Sequence, residues 1–224
     1  MERKIIITDD GSTTIHIPEW DEQYHSKFGA IQEARYVFIQ MGLFKVLERD
    51  ELSEISILEI GFGTGLNALV TWQEAMKKQV FIEYTGVEAY PVSSEEVQHL
   101  NFAKMLEEPE AASVFEKIHK IAWETPQNIS EFFKLTKQQK YFQAIDDVNK
   151  YDLIYFDAFG AGTQPDLWTE EIFEKMYKAT RDNGILVTYA AKGSVRRAML
   201  QVGFKVERLP GPPGKREMLR ATKK

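Results

Sequence analysis

From residue 55 onward, short apolar runs rich in β-branched residues alternate with longer stretches of helical periodicity. This alternation is typical of βαβ units, in which helices connect parallel strands. We therefore expect an α/β fold with a doubly wound, mainly parallel sheet. The predicted strands are residues 56–60, 82–87, 117–122, 153–157 and 185–189, and a last helix is predicted at 194–201.

Both ends of the chain depart from this alternation. The β-branched runs at 4–8 and 13–17 flank an Asp-Gly turn and predict a β-hairpin, and residues 29–48 have helical periodicity. At the other end, runs at 205–209 and 217–222 are joined by a Pro/Gly-rich loop, which predicts an antiparallel pair of strands. We expect residues 1–54 to form an extension packed on a core domain of residues 55–224. Residues 124–150 show no clear pattern.

A glycine-rich loop follows the first predicted core strand. Gly61, Gly63 and Gly65 alternate between that strand and a helical stretch, and Glu59 precedes them. Closely spaced glycines let the backbone approach a ligand, and free N–H groups at a helix start can face it. The spacing differs from the Gly-x-Gly-x-x-Gly of dinucleotide sites, and the carboxylate favours an ammonium over a phosphate. The loop predicts a site for a cofactor with an amino-acid end, with an unliganded tight turn as the alternative.

Two further carboxylates are predicted at the same edge of the sheet. Glu88 ends the second strand, where a carboxylate in doubly wound folds accepts hydrogen bonds from ribose hydroxyls. Asp157 ends an apolar strand, and the ring of Phe159 follows two residues later. A carboxylate can accept the N–H of an amine nucleophile while an aromatic ring excludes water. Taken singly, Glu88 could be an exposed strand end, and Asp157 a helix cap or turn residue.

Composition removes several kinds of chemistry. The 224 residues include no cysteine and four histidines, which excludes disulfides, thiolate metal sites and cysteine nucleophiles. No metal is therefore expected. No apolar stretch reaches the length of a membrane span, and the apolar run near the start is too short for a signal peptide. We expect a cytoplasmic protein with no membrane association.

Charge is unevenly distributed along the chain. The net charge is −6, but residues 192–224 contain ten Lys and Arg residues against two Glu, a local charge of +8. The remaining residues then carry −14. A basic end on an acidic body predicts a surface that faces phosphate groups, with a solvated cationic tail as the alternative.

Several motifs together resemble one family of tRNA-modifying enzymes. They are the segments 24–33 (YHSKFGAIQE), 59–67 (EIGFGTGLN), 156–159 (FDAF), 164–169 (QPDLWT), 195–197 (VRR) and 214–218 (GKREM). This combination is similar to the bacterial methyltransferases that form 5-methylaminomethyl-2-thiouridine in tRNA. The glycine loop is common to class I methyltransferases, whereas the Asp-Ala-Phe and Gln-Pro-Asp-Leu-Trp segments are more specific. The resemblance covers most of residues 20–222.

The resemblance implies a Rossmann-like class I methyltransferase that transfers a methyl group from S-adenosyl-L-methionine to the exocyclic amine of 5-aminomethyl-(2-thio)uridine at the anticodon wobble position. The residues implied to bind the cofactor are Glu59, Gly61, Gly63, Gly65, Asn67, Glu88 and Asp157. Asp157 and Phe159 are implied to lie where the methyl group meets the amine, with Trp168 and Tyr189 as pocket walls. The candidates for binding phosphates of the anticodon stem-loop are Lys192, Arg196, Arg197, Lys215 and Arg216.

The sequence departs from the family in one respect. The family presents an acidic residue after the next strand to bind the adenine amino group, whereas residues 137–142 contain none, so Gln139 or Tyr141 would replace it. Family members can also be fused to a flavin-dependent oxidase. No second glycine fingerprint is present, so we expect the methyltransferase alone, with upstream enzymes supplying the aminomethyl precursor.

Two other functions are compatible with these residues. A spermidine-synthase-like aminopropyltransferase would use a similar sheet and a strand-end Asp, and an acidic body suits a polyamine substrate. A non-catalytic S-adenosylmethionine-binding module, accessory to RNA modification, would bind the cofactor without turnover. Activity with putrescine and decarboxylated cofactor would indicate the first, and cofactor binding without transfer to any RNA would indicate the second.

Overall fold

The computed structural model describes residues 2–49 and 53–224. Its strands, in chain order, are β1 (Lys4–Ile7), β2 (Thr13–Ile17), β3 (Glu22–Gln23), β4 (Glu54–Ile60), β5 (Phe81–Val87), β6 (Gln127–Ser130), β7 (Phe133–Gln138), β8 (Tyr151–Phe156), β9 (Thr180–Thr188), β10 (Lys205–Pro210) and β11 (Glu217–Thr222). Eight of them form one sheet in the order β10-β11-β9-β8-β4-β5-β7-β6. The strands from β9 to β7 are parallel, and the strands at both edges are antiparallel. The predicted fold class, including the antiparallel C-terminal hairpin, is confirmed.

Helices cover both faces of this sheet. They are α1 (Ala30–Ala34), which continues through the π-helical segment Arg35–Leu43 into α2 (Phe44–Leu47), then α3 (Leu66–Lys78), α4 (Ser94–Gln98), α5 (Phe102–Met105), α6 (Ala111–Lys120), α7 (Glu170–Ala179) and α8 (Gly193–Gln201). Alternate residues of β4 belong to different cores. Ile57 packs in the cluster with α3, α6 and the π-helical segment, whereas Leu58 packs in the cluster with α7 and α8. Because helices cover both faces of the sheet, both faces of β4 are buried and carry apolar side chains.

One predicted strand is wrong. Residues 117–122 were expected to be a strand, but the segment Ala111–Lys120 is helix α6. Its buried residues Ala111, Val114, Phe115 and Ile118 recur at the three- and four-residue spacing of an amphipathic helix. The missing strand is β7, which pairs in parallel with β5 and lies in the region without a clear pattern.

The signal for β7 was present but short. Its residues Phe133–Gln138 alternate between buried and partly exposed positions, with Lys137 among the buried ones. A lysine at an inward position breaks the apolar alternation that identifies a strand from sequence. Tertiary packing accommodates it, because the Lys137 ammonium donates to the carbonyl of His119 at 2.8 Å and lies 4.8 Å from the ring centre of Trp123.

The N-terminal part of the chain forms a separate three-stranded sheet. The predicted hairpin is present as β1 and β2, and the short strand β3 pairs with β2. The helical segment that follows packs on the large sheet, with Val37 and Phe38 in the main hydrophobic core. In the part of the chain that the structure describes, no helix combines the length and apolarity that a bilayer span requires.

Candidate active site

A large cleft opens where β4, β5 and β8 end. Its volume is about 1490 Å³, and its walls include the glycine loop after β4, Glu88 after β5 and Asp157 after β8. Ligands of open α/β sheets bind at this carboxyl edge, where the connections diverge. The three motifs that the sequence placed at strand ends therefore border one space. Residues of the N-terminal segment from Trp20 to Phe28 also line the cleft.

The backbone of the glycine loop requires glycine at its first position. Gly61 has φ +87°, and a Cβ built there would lie 2.6 Å from the carbonyl oxygen of Asp157. The N–H of Gly61 donates to the carbonyl of Val87 at 3.0 Å, which ties the loop to the end of β5. Gly63 has φ +47°, and its N–H donates to the Glu88 carboxylate at 2.9 Å. The loop thus turns tightly at the cleft and is held to the end of β5 and to Glu88 by its own N–H groups.

A buried amide links two carboxyl groups at the floor of the cleft. The side-chain nitrogen of Asn67, in the first turn of α3, donates to Glu59 and to Asp157, both at 2.8 Å. Glu59 is 1% exposed and also accepts a hydrogen bond from the hydroxyl of Tyr84 at 2.8 Å. Burial raises the pKa of Glu59 well above its usual value, although both hydrogen bonds oppose the rise. The Asn67 side-chain oxygen is buried and has no partner among the described residues.

Asp157 is the second of these carboxyl groups, and charged side chains of distant segments lie near it. Burial raises its pKa to about 7, and the Glu33 carboxylate adds to the rise, whereas the Asn67 hydrogen bond and Lys215 oppose it. Lys215 forms an ion pair with Glu33 and lies 4.0 Å from the ring centre of Tyr189. Tyr189 donates its hydroxyl to the carbonyl of Ala158 at 2.8 Å. Asp157 can therefore exchange a proton near neutral pH.

Aromatic rings form the wall beside Asp157. Phe159 lies edge-on to Trp20 and Tyr24, with ring centres 5.7 and 5.0 Å apart. Tyr189 lines the cleft as predicted, but Trp168 does not. The Trp168 ring is 5% exposed and packs against Phe156 in the core. Its indole N–H donates to the carbonyl of Phe159 at 2.8 Å, so it supports that residue from behind.

Two histidines that the sequence did not single out hold the glycine loop. The ring of His25 lies between two hydroxyls, with Nδ1 2.9 Å from Thr14 and Nε2 3.1 Å from Thr64. His119 of α6 donates through Nε2 to the carbonyl of the same Thr64 at 3.2 Å. Burial lowers the pKa of His25 to about 3 and that of His119 to about 4, so both rings are neutral. For His25 the sequence did carry a signal, because the segment 24–33 resembles a motif of the family, whereas no motif contains His119.

The other end of the cleft is bordered by two exposed tyrosines. Tyr90 and Tyr141 meet edge-on with ring centres 6.0 Å apart, and the backbone N–H of Tyr90 donates to Glu88 at 2.9 Å. Tyr141 was one of two candidates for the adenine contact, and it lines the cleft. The other candidate, Gln139, lies outside the cleft wall, and its N–H donates to Glu124.

The predicted basic residues occupy two different environments. Lys192, Arg197 and Arg216 are exposed, and Arg196 is partly buried. Within the described ranges, none of these four forms an ion pair. Lys215 is different, since its ammonium lies inside the cleft and pairs with Glu33. The role of Lys215 as a phosphate contact stays a prediction; in the structure its charge is paired with the buried carboxylate of Glu33.

The donor set fits S-adenosyl-L-methionine. A cationic ligand would favour the ionised form of the buried carboxyl groups of Glu59 and Asp157, which suits an ammonium and a sulfonium, and Glu88 stands where ribose hydroxyls are bound in doubly wound folds. The buried side-chain oxygen of Asn67, which has no partner among the described residues, is available to accept a hydrogen bond from a ligand. Fold and site together define a class I methyltransferase.

Sequence comparison identifies the family. The sequence model of an S-adenosyl-L-methionine-dependent methyltransferase family matches residues 110–224, and the chain belongs to this family. Curated relatives include the "tRNA 5-methylaminomethyl-2-thiouridine biosynthesis bifunctional protein MnmC" of Paraburkholderia xenovorans, which is 27% identical over 90% of this chain and 32% of its own length. The same protein of Hydrogenovibrio crunogenus is 29% identical over 89% of this chain and 31% of its own length. The chain thus spans about a third of the curated relatives it matches.

Solved structures agree with this assignment. The crystal structure of MnmC2 from Aquifex aeolicus superposes with a TM-score of 0.79 at 25% identity and covers 100% of this chain and 70% of that one. A spermidine synthase in complex with a transition-state analogue has a TM-score of 0.57 at 14% identity, covering 99% of this chain and 71% of that one. The second likeness concerns the fold alone.

Proposed function

We propose that this methyltransferase transfers the methyl group of S-adenosyl-L-methionine to the exocyclic amine of 5-aminomethyl-(2-thio)uridine at the wobble position of tRNA. The observation that carries the proposal is that Asp157 and Phe159 lie beside the glycine loop in one cleft, which residues of the N-terminal segment also line. The likeness to MnmC proteins over nine-tenths of the chain supports the same substrate. A tRNA substrate would place the protein in the cytoplasm.

On this proposal, the cofactor lies across the ends of β4 and β5. The loop that contains Gly61, Gly63 and Gly65 would border its methionine part, and Glu59 with Asn67 would face the ammonium group. Glu88 would accept hydrogen bonds from the ribose. In the structure the Gly63 N–H and Tyr90 N–H hold the Glu88 carboxylate in place at 2.9 Å each, so its orientation is fixed before a ligand enters.

The chain's own contribution to the reaction is orientation and proton handling. Bound S-adenosyl-L-methionine supplies an electrophilic methyl group. Asp157 would accept an N–H of the substrate amine and aim its lone pair at the cofactor side of the cleft. Since its pKa is raised to about 7, Asp157 can also take the proton that an ammonium must lose before it can act as a nucleophile. Phe159 and Tyr189 would exclude water and hold the uracil ring of the substrate in place. Positioning of the two reactants can lower the activation free energy by on the order of 7–11 kcal/mol at best.

The exposed basic residues Lys192, Arg197 and Arg216, together with Arg196, remain the proposed contacts to anticodon-stem phosphates. These four residues lie outside the cleft wall, whereas Glu22, Glu33 and Asp157 line the cleft around the amine position, with Glu33 paired to Lys215. This separation suits a substrate that is anionic along its backbone and cationic at the reacting group.

The decisive experiment is incubation with labelled S-adenosyl-L-methionine and tRNA that bears an unmethylated aminomethyl wobble uridine, followed by nucleoside analysis. Label should appear on the exocyclic nitrogen of that nucleoside. Asp157→Ala should abolish transfer but retain cofactor binding, measured by calorimetry. Label on a ring carbon, aminopropyl transfer to putrescine from decarboxylated cofactor, or binding without transfer to any RNA would contradict the proposal.

A further inference from the structure

Two exposed aromatic rings border the mouth of the cleft at the end that holds Asp157. Trp20 is 36% exposed, and its inner edge contacts Phe159. Phe28 is 40% exposed, and its ring packs against Gly214, where a Cβ would come within 2.0 Å of the ring. Glycine at 214 therefore lets the C-terminal loop approach one side of the Phe28 ring, while the ring stays partly exposed. We call Trp20 and Phe28 the aromatic rim.

The distribution of exposed aromatic rings over the molecule is not even. Among the described residues, the exposed Phe, Trp and Tyr rings are Trp20, Phe28, Tyr90 and Tyr141, and all four line this cleft. The two tyrosines contact each other beside Glu88, at the end proposed for the cofactor ribose. The aromatic rim lies at the other end, beyond the point where the amine would react. A ligand that extends out of the cleft on that side would meet these two rings.

Charged residues of both signs surround the aromatic rim. Thr163 donates to Glu22 at 2.7 Å at the mouth, and Glu33 lies deeper in the cleft, paired with Lys215. The exposed Lys27 also lines the cleft and places its ammonium 5.5 Å from the ring centre of Phe28, and Arg216 is exposed two residues after Gly214. Aromatic faces next to cations are the usual means of holding unpaired nucleotides, whose bases stack and whose phosphates attract the cations.

We propose that the aromatic rim is a stacking platform for the unpaired nucleotides that flank the target base, with Lys27 and Arg216 facing their phosphates. This inference rests on the proposed function, which places the target base in an anticodon loop. The target base must leave its stack to reach Asp157, so its neighbours lose a stacking partner. Trp20 and Phe28 replace that partner at the mouth of the cleft.

The test compares two substrates that share the reacting amine. One is an anticodon stem-loop with 5-aminomethyluridine at the wobble position, and the other is the free 5-aminomethyluridine nucleoside. Trp20→Leu and Phe28→Leu remove the flat ring but keep apolar volume. For each variant, the ratio of kcat/KM for the stem-loop to kcat/KM for the nucleoside should fall about 10-fold, because stacking of one base is lost. Trp20→Phe, which keeps an aromatic face, should restore most of the ratio.

The control is Val148→Ala, at a 67% exposed apolar position outside the cleft wall, which should leave the ratio unchanged. An equal fall on both substrates would overturn the inference, since Trp20 would then act only by supporting Phe159. An unchanged ratio would overturn it as well.

A binding measurement separates failure of the inference from failure of the proposed function. Fluorescence anisotropy with an unmethylated stem-loop should show about 10-fold weaker binding for both rim variants. If the wild type transfers methyl to neither substrate, the proposed function fails and the inference fails with it. If the wild type methylates the stem-loop but the variants bind and methylate it equally well, only the inference fails. Urea unfolding of each variant checks that the cleft is intact.

Discussion

Replacing Asp157 by Asn should stabilise the folded protein at alkaline pH. The buried carboxyl has a pKa of about 7 against an ordinary value of 3.8, so ionising it in the folded state is costly. At 1.36 kcal/mol per pKa unit the full cost is about 4 kcal/mol. The side chain is partly accessible from the cleft, which reduces the expected gain from the substitution to about 1–3 kcal/mol at pH 8. Asn keeps the size of the side chain and an oxygen that can accept from Asn67.

The pH dependence of this stability gain tests whether it comes from removing a buried carboxyl group. A carboxyl whose pKa is raised by folding costs stability above its folded pKa of about 7, and the cost disappears as the pH falls towards the ordinary value of 3.8. The gain for Asp157→Asn should therefore be largest at pH 8 and less than about half as large at pH 5.

Urea unfolding between pH 5 and pH 8, followed by circular dichroism, measures this difference. Asp166→Asn, at an exposed position of the same loop, is the matched control and should change stability by less than about 0.5 kcal/mol. A gain that is equal at both pH values, or a loss of stability at pH 8, would refute the argument that burial of this carboxyl sets its pKa.

Three further predictions concern the cofactor loop and the basic surface. Gly61→Ala should cost about 1–3 kcal/mol of stability in urea unfolding and abolish cofactor binding. The reason is that φ at this position is positive and the added Cβ would press on the Asp157 carbonyl. Normal cofactor binding would show that the loop can shift. His25→Ala should weaken cofactor binding in calorimetry by about 10-fold, because the hydrogen bond to Thr64 of the glycine loop is lost. His25→Gln should recover part of the affinity. Equal affinities of the two variants for the cofactor would exclude a positioning role for the ring. Arg197→Ala should reduce the slope of log affinity for tRNA against log salt by about 0.7–0.9. The control is Lys120→Ala, at an exposed position of helix α6, which should leave the slope unchanged. Identical slopes for the two variants would show that Arg197 does not contact a phosphate.

Most of the fold could be predicted because strands and helices of this class have different hydrophobic periods. The segments now seen as β4, β5 and β8 are continuous apolar runs, and such runs are typical of strands buried on both faces. The prediction failed at α6, where the predicted strand overlaps the last turn of an amphipathic helix, and at β7, where a buried lysine interrupts the alternation. The division at residues 54 and 55 into an extension and a core domain stays a prediction.

The candidate site was predictable only where strand ends define it. Glu59, Glu88 and Asp157 could be placed at one edge because parallel strands bring their carboxyl ends together. Residues that enter the cleft from distant elements gave no such signal. Glu33 and Lys215 are 182 positions apart in the chain, yet their ion pair lies beside Asp157.

The sequence by itself determined the class of the sheet and four of its predicted core strands, the glycine loop and the strand-end carboxylates, because each depends on local periodicity or on a conformation that only glycine adopts readily. Tertiary structure alone decided which groups surround them. It placed Trp168 in the core rather than in the cleft, brought His25 against Thr64 and set the Lys215 charge against Glu33. Burial and the field of neighbouring charges are properties of the packed chain, and the shifted pKa of Asp157 follows from both.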